Sequence, residues 1–315
     1  MIDTTRSARR HYRGADALHS ACSIPAVDYL RRVVLAVGLV AAALAMGMAP
    51  AAAAPPTSDV EPLERAHAHN DYEHDRPLAD AVSVGFTSVE ADVWLVDGEL
   101  RVAHDLADTR PGVTLQSLYL DPLAERIAQN GGSVYRDWGG SLQLLIDIKS
   151  DGPATYAALD EALNAYPQLM TRWTDGKIKE RAVTAVISGN RPLADMSAQR
   201  TRFAGYDGRL SDLHSGLPPT LMSLVSDNWT NHFTWTGIGP MPQTEREKLR
   251  SIVTTAHANG YRVRFWATPD QPGEARDALW SELVAAGVDH INTDDLAGLQ
   301  EFLLANDPAE QSAAA

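Results

Sequence analysis

The sequence predicts an α/β fold, namely a single-domain (β/α)8 barrel of the TIM type. Short apolar runs rich in β-branched residues alternate with amphipathic segments through most of the chain. Several amphipathic segments are followed by a glycine and then by the next apolar run. Eight strands that are separated by helices form a parallel sheet, and such a sheet closes into a barrel.

Eight segments have the composition of barrel strands, because they are short, apolar and bounded by turn-forming residues. The predicted strands are Arg65–His69, Ser88–Leu95, Leu142–Ile148, Ala182–Ser188, Thr201–Tyr206, Leu221–Ser226, Tyr261–Trp266 and Val288–Asn292. The carboxyl ends of parallel barrel strands meet at one rim, which is where barrel enzymes hold their active sites.

Amphipathic segments between these runs predict the helices. They are Leu78–Val84, Asp121–Gln129, Ala154–Tyr166, Arg191–Gln199, Glu245–Asn259, Glu274–Ala286 and Leu296–Ala305. Gly85, Gly260 and Gly287 follow three of them, as expected of left-handed helix caps. The connections Asp105–Gly140 and Asn228–Gln243 are longer than ordinary loops, and such loops frame or cover a barrel's site.

Residues 1–54 are predicted to be a secretory signal peptide with an upstream extension. Arg31 and Arg32 precede an apolar run at 33–48, and small residues follow at 49–54. This run of about 16 residues is shorter than the roughly 20 of a membrane span. We therefore expect a secreted or periplasmic protein with no stable membrane anchor; a retained anchor is the alternative. The arginine pair matches a twin-arginine signal only weakly.

The remaining chain is predicted to form a barrel over residues 55–306, with a disordered tail over 307–315. The one cysteine, Cys22, lies in the segment that we expect to be removed. The mature protein would therefore have neither a disulfide nor a redox-active thiol. The sequence gives no indication of the oligomeric state.

The chain is strongly acidic, with a formal charge of −14. Residues 1–54 carry six Arg and three Asp, so the remainder has a formal charge of about −17. Such a surface disfavours binding to nucleic acid and to anionic membranes. An anionic substrate would need local positive charge to enter the site.

Four short polar segments at or just beyond apolar runs hold the candidate site residues. They are His69-Asn70-Asp71-Tyr72, Glu90-Ala91-Asp92, His104-Asp105 and Asp147-Ile148-Lys149. Glu90 and Asp92 are two apart on one strand and face the same cavity, while Asp147 ends a buried strand at the rim. Neighbouring carboxylates repel unless a cation intervenes or one is protonated. Three oxygen ligands suit Mg²⁺, or else Ca²⁺, better than zinc.

His69 and His104 are both expected at the same rim. Phosphodiester cleavage needs one group to take a proton and another to protonate the leaving oxygen, and imidazoles do both near neutral pH. Lys149 shares the face of Asp147 and is predicted to contact a phosphate as a point charge; a salt bridge to Asp147 alone is the alternative. Asp105 is expected either to orient an imidazole or to cap a turn.

Further substrate-binding candidates lie at or just beyond the ends of predicted strands. They are Asn70, Asn190, Trp266 and Asn292. Asn190 could donate a hydrogen bond to phosphate and Trp266 could form an apolar wall; turn formation, capping or packing are the alternatives. His67 is expected in a supporting or core role. The sequence contains no Gly-rich phosphate loop, no serine-hydrolase elbow and no zinc-type histidine pair.

These motifs resemble the phospholipase C-like phosphodiesterase superfamily, which includes glycerophosphodiester phosphodiesterases and sphingomyelinase D-type phospholipases. The segments 87–93, 102–105 and 145–149 carry the resemblance, which extends from His69 to about Asp295. It implies a barrel in which Glu90, Asp92 and Asp147 bind the metal. By the same resemblance His69 and His104 are the acid and base, and Lys149 contacts phosphate.

The pattern departs from glycerophosphodiesterases, which usually have His-Arg-Gly, a Pro-Glu-Asn loop, and Glu where this chain has Asp147. The His69-Asn70-Asp71-Tyr72 start is closer to sphingomyelinase D-type enzymes and to the branch named for altered inheritance of mitochondria. We therefore expect metal-dependent hydrolysis of a small-molecule or lipid phosphodiester, namely a glycerophosphodiester or a phospholipid head group. The alternatives are internal attack that gives a cyclic phosphate, and a catalytically silent barrel that binds phosphorylated ligands.

Overall fold

A computed structural model describes residues 60–307 of the protein. The predicted signal peptide and the tail beyond Asp307 lie outside the described residues. Within residues 60–307 no helix is long and apolar enough to cross a membrane.

Eight parallel strands form the barrel. They are β1 (Leu63–Ala68), β2 (Phe86–Val96), β3 (Leu142–Ile148), β4 (Val183–Gly189), β5 (Ala204–Gly208), β6 (Met222–Asn228), β7 (Arg262–Trp266) and β8 (His290–Thr293). Each strand pairs in parallel with its neighbours in chain order, and β1 pairs with both β8 and β2. The sheet is therefore closed, and the predicted (β/α)8 barrel is confirmed.

The described residues include eight α-helices. They are α1 (Ala79–Ser83), α2 (Asp121–Gln129), α3 (Gly152–Asn164), α4 (Leu193–Ala198), α5 (Trp229–His232), α6 (Gln243–Ala258), α7 (Glu274–Ala286) and α8 (Leu296–Asn306). All but the short helix α5 were predicted. Gly85, Gly260 and Gly287 have φ angles of 91°, 79° and 80°, so the three predicted left-handed caps are confirmed.

The predicted fifth strand, Thr201–Tyr206, is wrong in its bounds. Thr201–Arg202 belongs to a separate antiparallel sheet with Arg172–Thr174, and the barrel strand is Ala204–Gly208. The Arg202 guanidinium lies over the Trp173 ring at 5.3 Å, which fixes this part of the chain to the small sheet. The barrel strand consequently extends to Gly208, beyond its predicted end.

The folded region extends one residue further than the predicted boundary at 306. Asp307 is fully buried, and Arg65 Nε donates to its Oδ2 at 2.6 Å. Asp307 therefore belongs to the barrel and not to the tail.

Strand β2 continues past the rim and folds back as a hairpin. A two-residue turn at Asp97 and Gly98, with φ angles of 53° and 83°, leads into the antiparallel strand Glu99–Val102. The pairing of Val93 with Val102 brings the chain after the hairpin back to the rim. His104 is thereby returned to a position beside β2.

The apolar interior is divided into two parts by the sheet. Leu145, Val186 and Leu224 form a separate cluster of fully buried side chains inside the barrel. The larger core lies between the strands and the surrounding helices. The residues two positions beyond the inner cluster on β3 and β4 are polar, so the chemistry is concentrated above an apolar layer.

Candidate active site

Three carboxylates meet at the carboxyl ends of β2 and β3. Glu90 and Asp92 point into the barrel from β2, and Asp92 pairs in register with Asp147 on β3. One carboxylate oxygen from each residue lies within 4.8 Å of the others. Glu90 and Asp92 are buried and Asp147 is partly buried. The three predicted metal ligands therefore come together.

Glu90 is held ionised by positive charge. Arg264 Nη2 donates to Glu90 Oε2 at 2.5 Å, and His67 Nε2 lies 3.3 Å from the same oxygen. Burial by itself raises the pKa of Glu90, but the Arg264 charge and the His67 contact hold this pKa well below its usual value. Asn292 Oδ1 accepts from Arg264 Nε at 3.0 Å and from Nη2 at 2.6 Å, which fixes the guanidinium.

The two carboxylate oxygens of Asp92 differ in their hydrogen-bond partners. Tyr72 Oη donates to Asp92 Oδ2 at 2.7 Å, and both His104 Nδ1 and Lys149 Nζ lie 3.0 Å from it. Asp92 Oδ1 is buried and has no hydrogen-bond partner. A buried carboxylate oxygen without a partner is costly. This orphaned oxygen fits a cation bound among the three carboxylates.

Asp147 is the third carboxylate of the set. Burial raises its pKa to about 6, and the charges of Glu90 and Asp92 add to the increase, while Lys149 opposes it. Lys149 Nζ lies 3.3 Å from Asp147 Oδ1. One ammonium therefore bridges Asp147 and Asp92. Because all three ligands offer oxygen, the set suits Mg²⁺ or Ca²⁺.

The two predicted catalytic histidines are held by different carboxylates. His69 Nδ1 lies 2.8 Å from Asp294 Oδ1. Burial lowers the pKa of His69, but the contact with Asp294 and the charge of Glu90 outweigh it and raise this pKa. His104 is more than half exposed, at 58%, and is held by Asp92. Asp105 makes no side-chain hydrogen bond to the turn that follows it, so the expectation that it caps a turn is not supported. The expectation that it orients an imidazole stays a prediction.

The other substrate-binding candidates, Asn70, Asn190, Trp266 and Asn292, differ in their surroundings. Asn70 lies at the rim with a left-handed φ of 44° and directs the chain after β1 into a short turn. Trp266 ends β7 and is half-buried. Asn190 Nδ2 donates to Ser150 O at 2.9 Å and more weakly to Lys149 O at 3.4 Å, so it supports the Lys149 segment. Asn292 Oδ1 accepts from Arg264. A contact of either asparagine with substrate stays a prediction.

Several polar residues at this rim were missed by the sequence analysis. They are Tyr72, Arg264, Asp294, Asp207 and Arg209. Tyr72 and Arg264 had a usable signal, since Tyr72 is in the first polar segment and Arg264 shares a strand face with Trp266. Asp207 and Arg209 were missed because the predicted fifth strand ends at Tyr206, before both residues. Asp294 had no local signal, since its partner lies 225 positions away.

Two parts of the chain that contain site residues match models of known protein families. Residues 56–207 match the model of an AIM6-like phosphodiesterase domain, and residues 262–297 match the glycerophosphoryl diester phosphodiesterase family. Altered inheritance of mitochondria protein 6 of Eremothecium gossypii is 30% identical over 288 residues, which cover 78% of this chain and 71% of that protein. The chain belongs to the AIM6 family.

Two further likenesses accompany this assignment. A homologue of the AIM6 protein in Arthroderma benhamiae is 30% identical over 258 residues, which cover 73% of this chain and 81% of that protein. The crystal structure of a glycerophosphoryl diester phosphodiesterase from Parabacteroides distasonis aligns with a TM-score of 0.46 and 15% identity, over 80% of this chain and 89% of that one. The AIM6-like match begins before β1 and ends at Asp207, so it includes all three carboxylates.

Proposed function

We propose that this AIM6-family protein hydrolyses phosphodiesters with a divalent cation, Mg²⁺ or else Ca²⁺, bound by Glu90, Asp92 and Asp147. The observation that carries the proposal is the convergence of these three carboxylates at one rim, together with the buried Asp92 oxygen that has no partner. When bound there, the cation supplies charge neutralisation at the phosphate oxygens. The substrate class that we propose is a glycerophosphodiester or a phospholipid head group.

The side chains divide the remaining work. Lys149 places a positive charge between Asp92 and Asp147, where it can also contact a phosphate oxygen. His69 and His104 exchange protons with the attacking and leaving oxygens. Asp294 orients the ring of His69 through Nδ1, and Asp92 does the same for His104, so the opposite nitrogen of each ring faces the substrate.

The setting of the reaction is also a proposal. A predicted signal peptide supports activity outside the cytoplasm, and the formal charge of −14 supports small or lipid substrates over nucleic acid. The identity of the product shows whether water or an internal hydroxyl is the attacking group. Phosphorus NMR of the product distinguishes a phosphomonoester from a cyclic phosphate.

The proposal is tested with a bis-aryl phosphate, using purified protein with chelator and then with added Mg²⁺ or Ca²⁺. We expect turnover to stop in chelator and to return with the cation, because three carboxylates without it repel an anionic substrate. His69→Ala and His104→Ala should each lower kcat by about 10²- to 10⁴-fold.

His214→Ala provides the matched control, because His214 is exposed, lies in a turn and makes none of the contacts described for the three carboxylates. It should keep wild-type kcat. Full turnover in chelator would contradict the proposed metal dependence, and phosphate binding without turnover across a panel of diesters would favour a silent binding protein.

A further inference from the structure

A second polar cluster lies beside the three carboxylates on the same rim. Ser188 on β4 pairs in register with Asp147 and donates to Asp207 Oδ2 on β5 at 2.7 Å. Ser226 on β6 donates to the same oxygen at 2.6 Å, and Arg209 Nη1 donates to it at 2.8 Å. Asp207 is fully buried, and its Oδ1 has no partner. Three neighbouring strands therefore fix one guanidinium.

Arg209 keeps part of its donor capacity. Its Nη1 is directed to Asp207 and to the carbonyl of Gly208, at 2.8 and 3.0 Å. Its Nη2 has one long contact, to Ser188 Oγ at 3.4 Å. The side chain is 25% exposed. A guanidinium has five N–H donors in a rigid plane, so one edge remains for a ligand.

Two other cations at the rim, Lys149 and Arg264, are more fully engaged. Lys149 Nζ is shared between Asp92 and Asp147, and Arg264 is 3% exposed and bound to Glu90 and Asn292. Arg209 lies beside the third carboxylate, because its Nη2 is 3.4 Å from Ser188 Oγ and Ser188 pairs in register with Asp147.

We propose that Arg209 binds the phosphate group of the substrate on the side of the cation site formed by Asp147. This inference rests on the proposed function and adds a substrate-binding residue to it. The planar guanidinium donates to two phosphate oxygens in parallel, which a point charge such as Lys149 does not do. Asp207, Ser188 and Ser226 are positioning residues that hold Arg209 in place.

A purely structural role for Arg209 is the competing account, since Arg209 also neutralises the buried Asp207. Two variants separate the roles. Arg209→Lys keeps the charge beside Asp207 but loses the planar fork. The double variant Asp207→Asn/Arg209→Met removes both charges, so no unpaired charge is left buried. Arg200→Met is the control, because Arg200 is 85% exposed and pairs with Asp175 on the small sheet.

The probe is inorganic phosphate with Mg²⁺, titrated by calorimetry into the full protein, and KM and kcat are measured for the bis-aryl phosphate. We expect phosphate affinity to fall about tenfold in Arg209→Lys and about 10- to 100-fold in the double variant. KM should rise by similar factors, because the contact is made in the bound substrate. Arg200→Met should match the wild type.

Wild-type phosphate affinity in both Arg209 variants would overturn the inference, as would a wild-type protein that binds no phosphate. These results are separable from the proposed function. If the wild type binds phosphate, the variants lose binding and no diester is turned over, the inference stands and the proposed hydrolysis fails. If diesters are hydrolysed but the variants keep KM and phosphate affinity, only the inference fails.

Discussion

At the scale of single residues, the titratable groups of the site have pKa shifts with different causes. Arg264 keeps the pKa of Glu90 low, burial raises the pKa of Asp147 to about 6, and Asp294 raises the pKa of His69. The two carboxylates nearest each other in sequence, Glu90 and Asp92, thus have opposite pKa shifts. Such divergence is typical of functional sites.

The Arg264–Glu90 ion pair is almost completely buried, with side-chain exposures of 3% and 7%. Arg264→Met leaves Glu90 as a buried charge without its guanidinium partner. We expect a loss of about 3–5 kcal/mol in the free energy of unfolding, measured by urea denaturation in chelator. Arg200→Met, which breaks an exposed pair, should cost less than about 1 kcal/mol. Equal losses in the two variants would contradict the assignment.

The Asp294–His69 contact makes a prediction for the pH dependence of activity. Asp294→Asn removes the hydrogen bond and charge that raise the pKa of His69, while burial continues to lower it. The limb of the kcat/KM profile that reports His69 should therefore move to lower pH. If His69 is the acid, activity falls earlier as the pH rises; if it is the base, activity persists further into the acidic range. Asp105→Asn, at an exposed residue, should leave the limb unchanged. An unshifted limb in Asp294→Asn would contradict the pairing.

At the scale of elements, the strand ends control where the ligands stand. Gly189 ends β4 with a φ of 66°, and a Cβ there would lie 2.2 Å from Asp147 Oδ1. The neighbouring strand can approach Asp147 closely only because this position has no side chain. The hairpin after β2 acts in a similar way, since its tight turn returns His104 to Asp92.

Gly189→Ala should displace the Asp147 carboxylate and weaken cation binding. We expect an affinity for Mg²⁺ lower by about 10- to 100-fold in calorimetric titration. Gly216→Ala is the matched control, because Gly216 has a similar φ of 73° and a Cβ there meets nothing within 4 Å. Gly216→Ala should lose about 1–2 kcal/mol of stability for a non-glycine residue in this region. Gly189→Ala should lose more, because its Cβ would also lie 2.4 Å from the backbone oxygen of Ile148. Wild-type Mg²⁺ affinity in Gly189→Ala would show that Asp147 is not a ligand.

At the scale of the whole molecule, negative charges that repel one another are concentrated at one rim of the barrel. Three carboxylates with oxygens within 4.8 Å of one another lie in a chain whose formal charge is −14. Lys149 and Arg264 offset part of this repulsion through their ion pairs with these carboxylates. A cation that binds the folded state and not the unfolded chain should stabilise the fold.

Addition of Mg²⁺ should therefore raise the Tm of the wild-type protein. At a concentration one hundred times the Kd we expect about 2.7 kcal/mol of stabilisation, which corresponds to a Tm increase of about 5–10 °C in differential scanning calorimetry. Asp92→Asn should abolish the increase. Asp175→Asn, at an exposed carboxylate of the small sheet, should preserve it. The same Tm increase in Asp92→Asn would show that the cation binds elsewhere.

Much of the fold could be predicted because barrel strands and helices are coded locally. Seven of the eight strands lie within two residues of their predicted bounds, since each is a short apolar run between turn-forming residues. The fifth failed because the pairing of Arg202 with Trp173 on another sheet outweighs local preference.

The amino-acid sequence by itself determined the barrel and the shared face of Glu90 and Asp92, because strand periodicity and the order of elements are properties of neighbouring residues. Only the tertiary structure decided which groups meet across the closed sheet. Arg264 lies 174 positions from Glu90 and Asp294 lies 225 positions from His69. The physical reason is that such contacts depend on strand register and barrel closure, which join segments with no local relation in the chain.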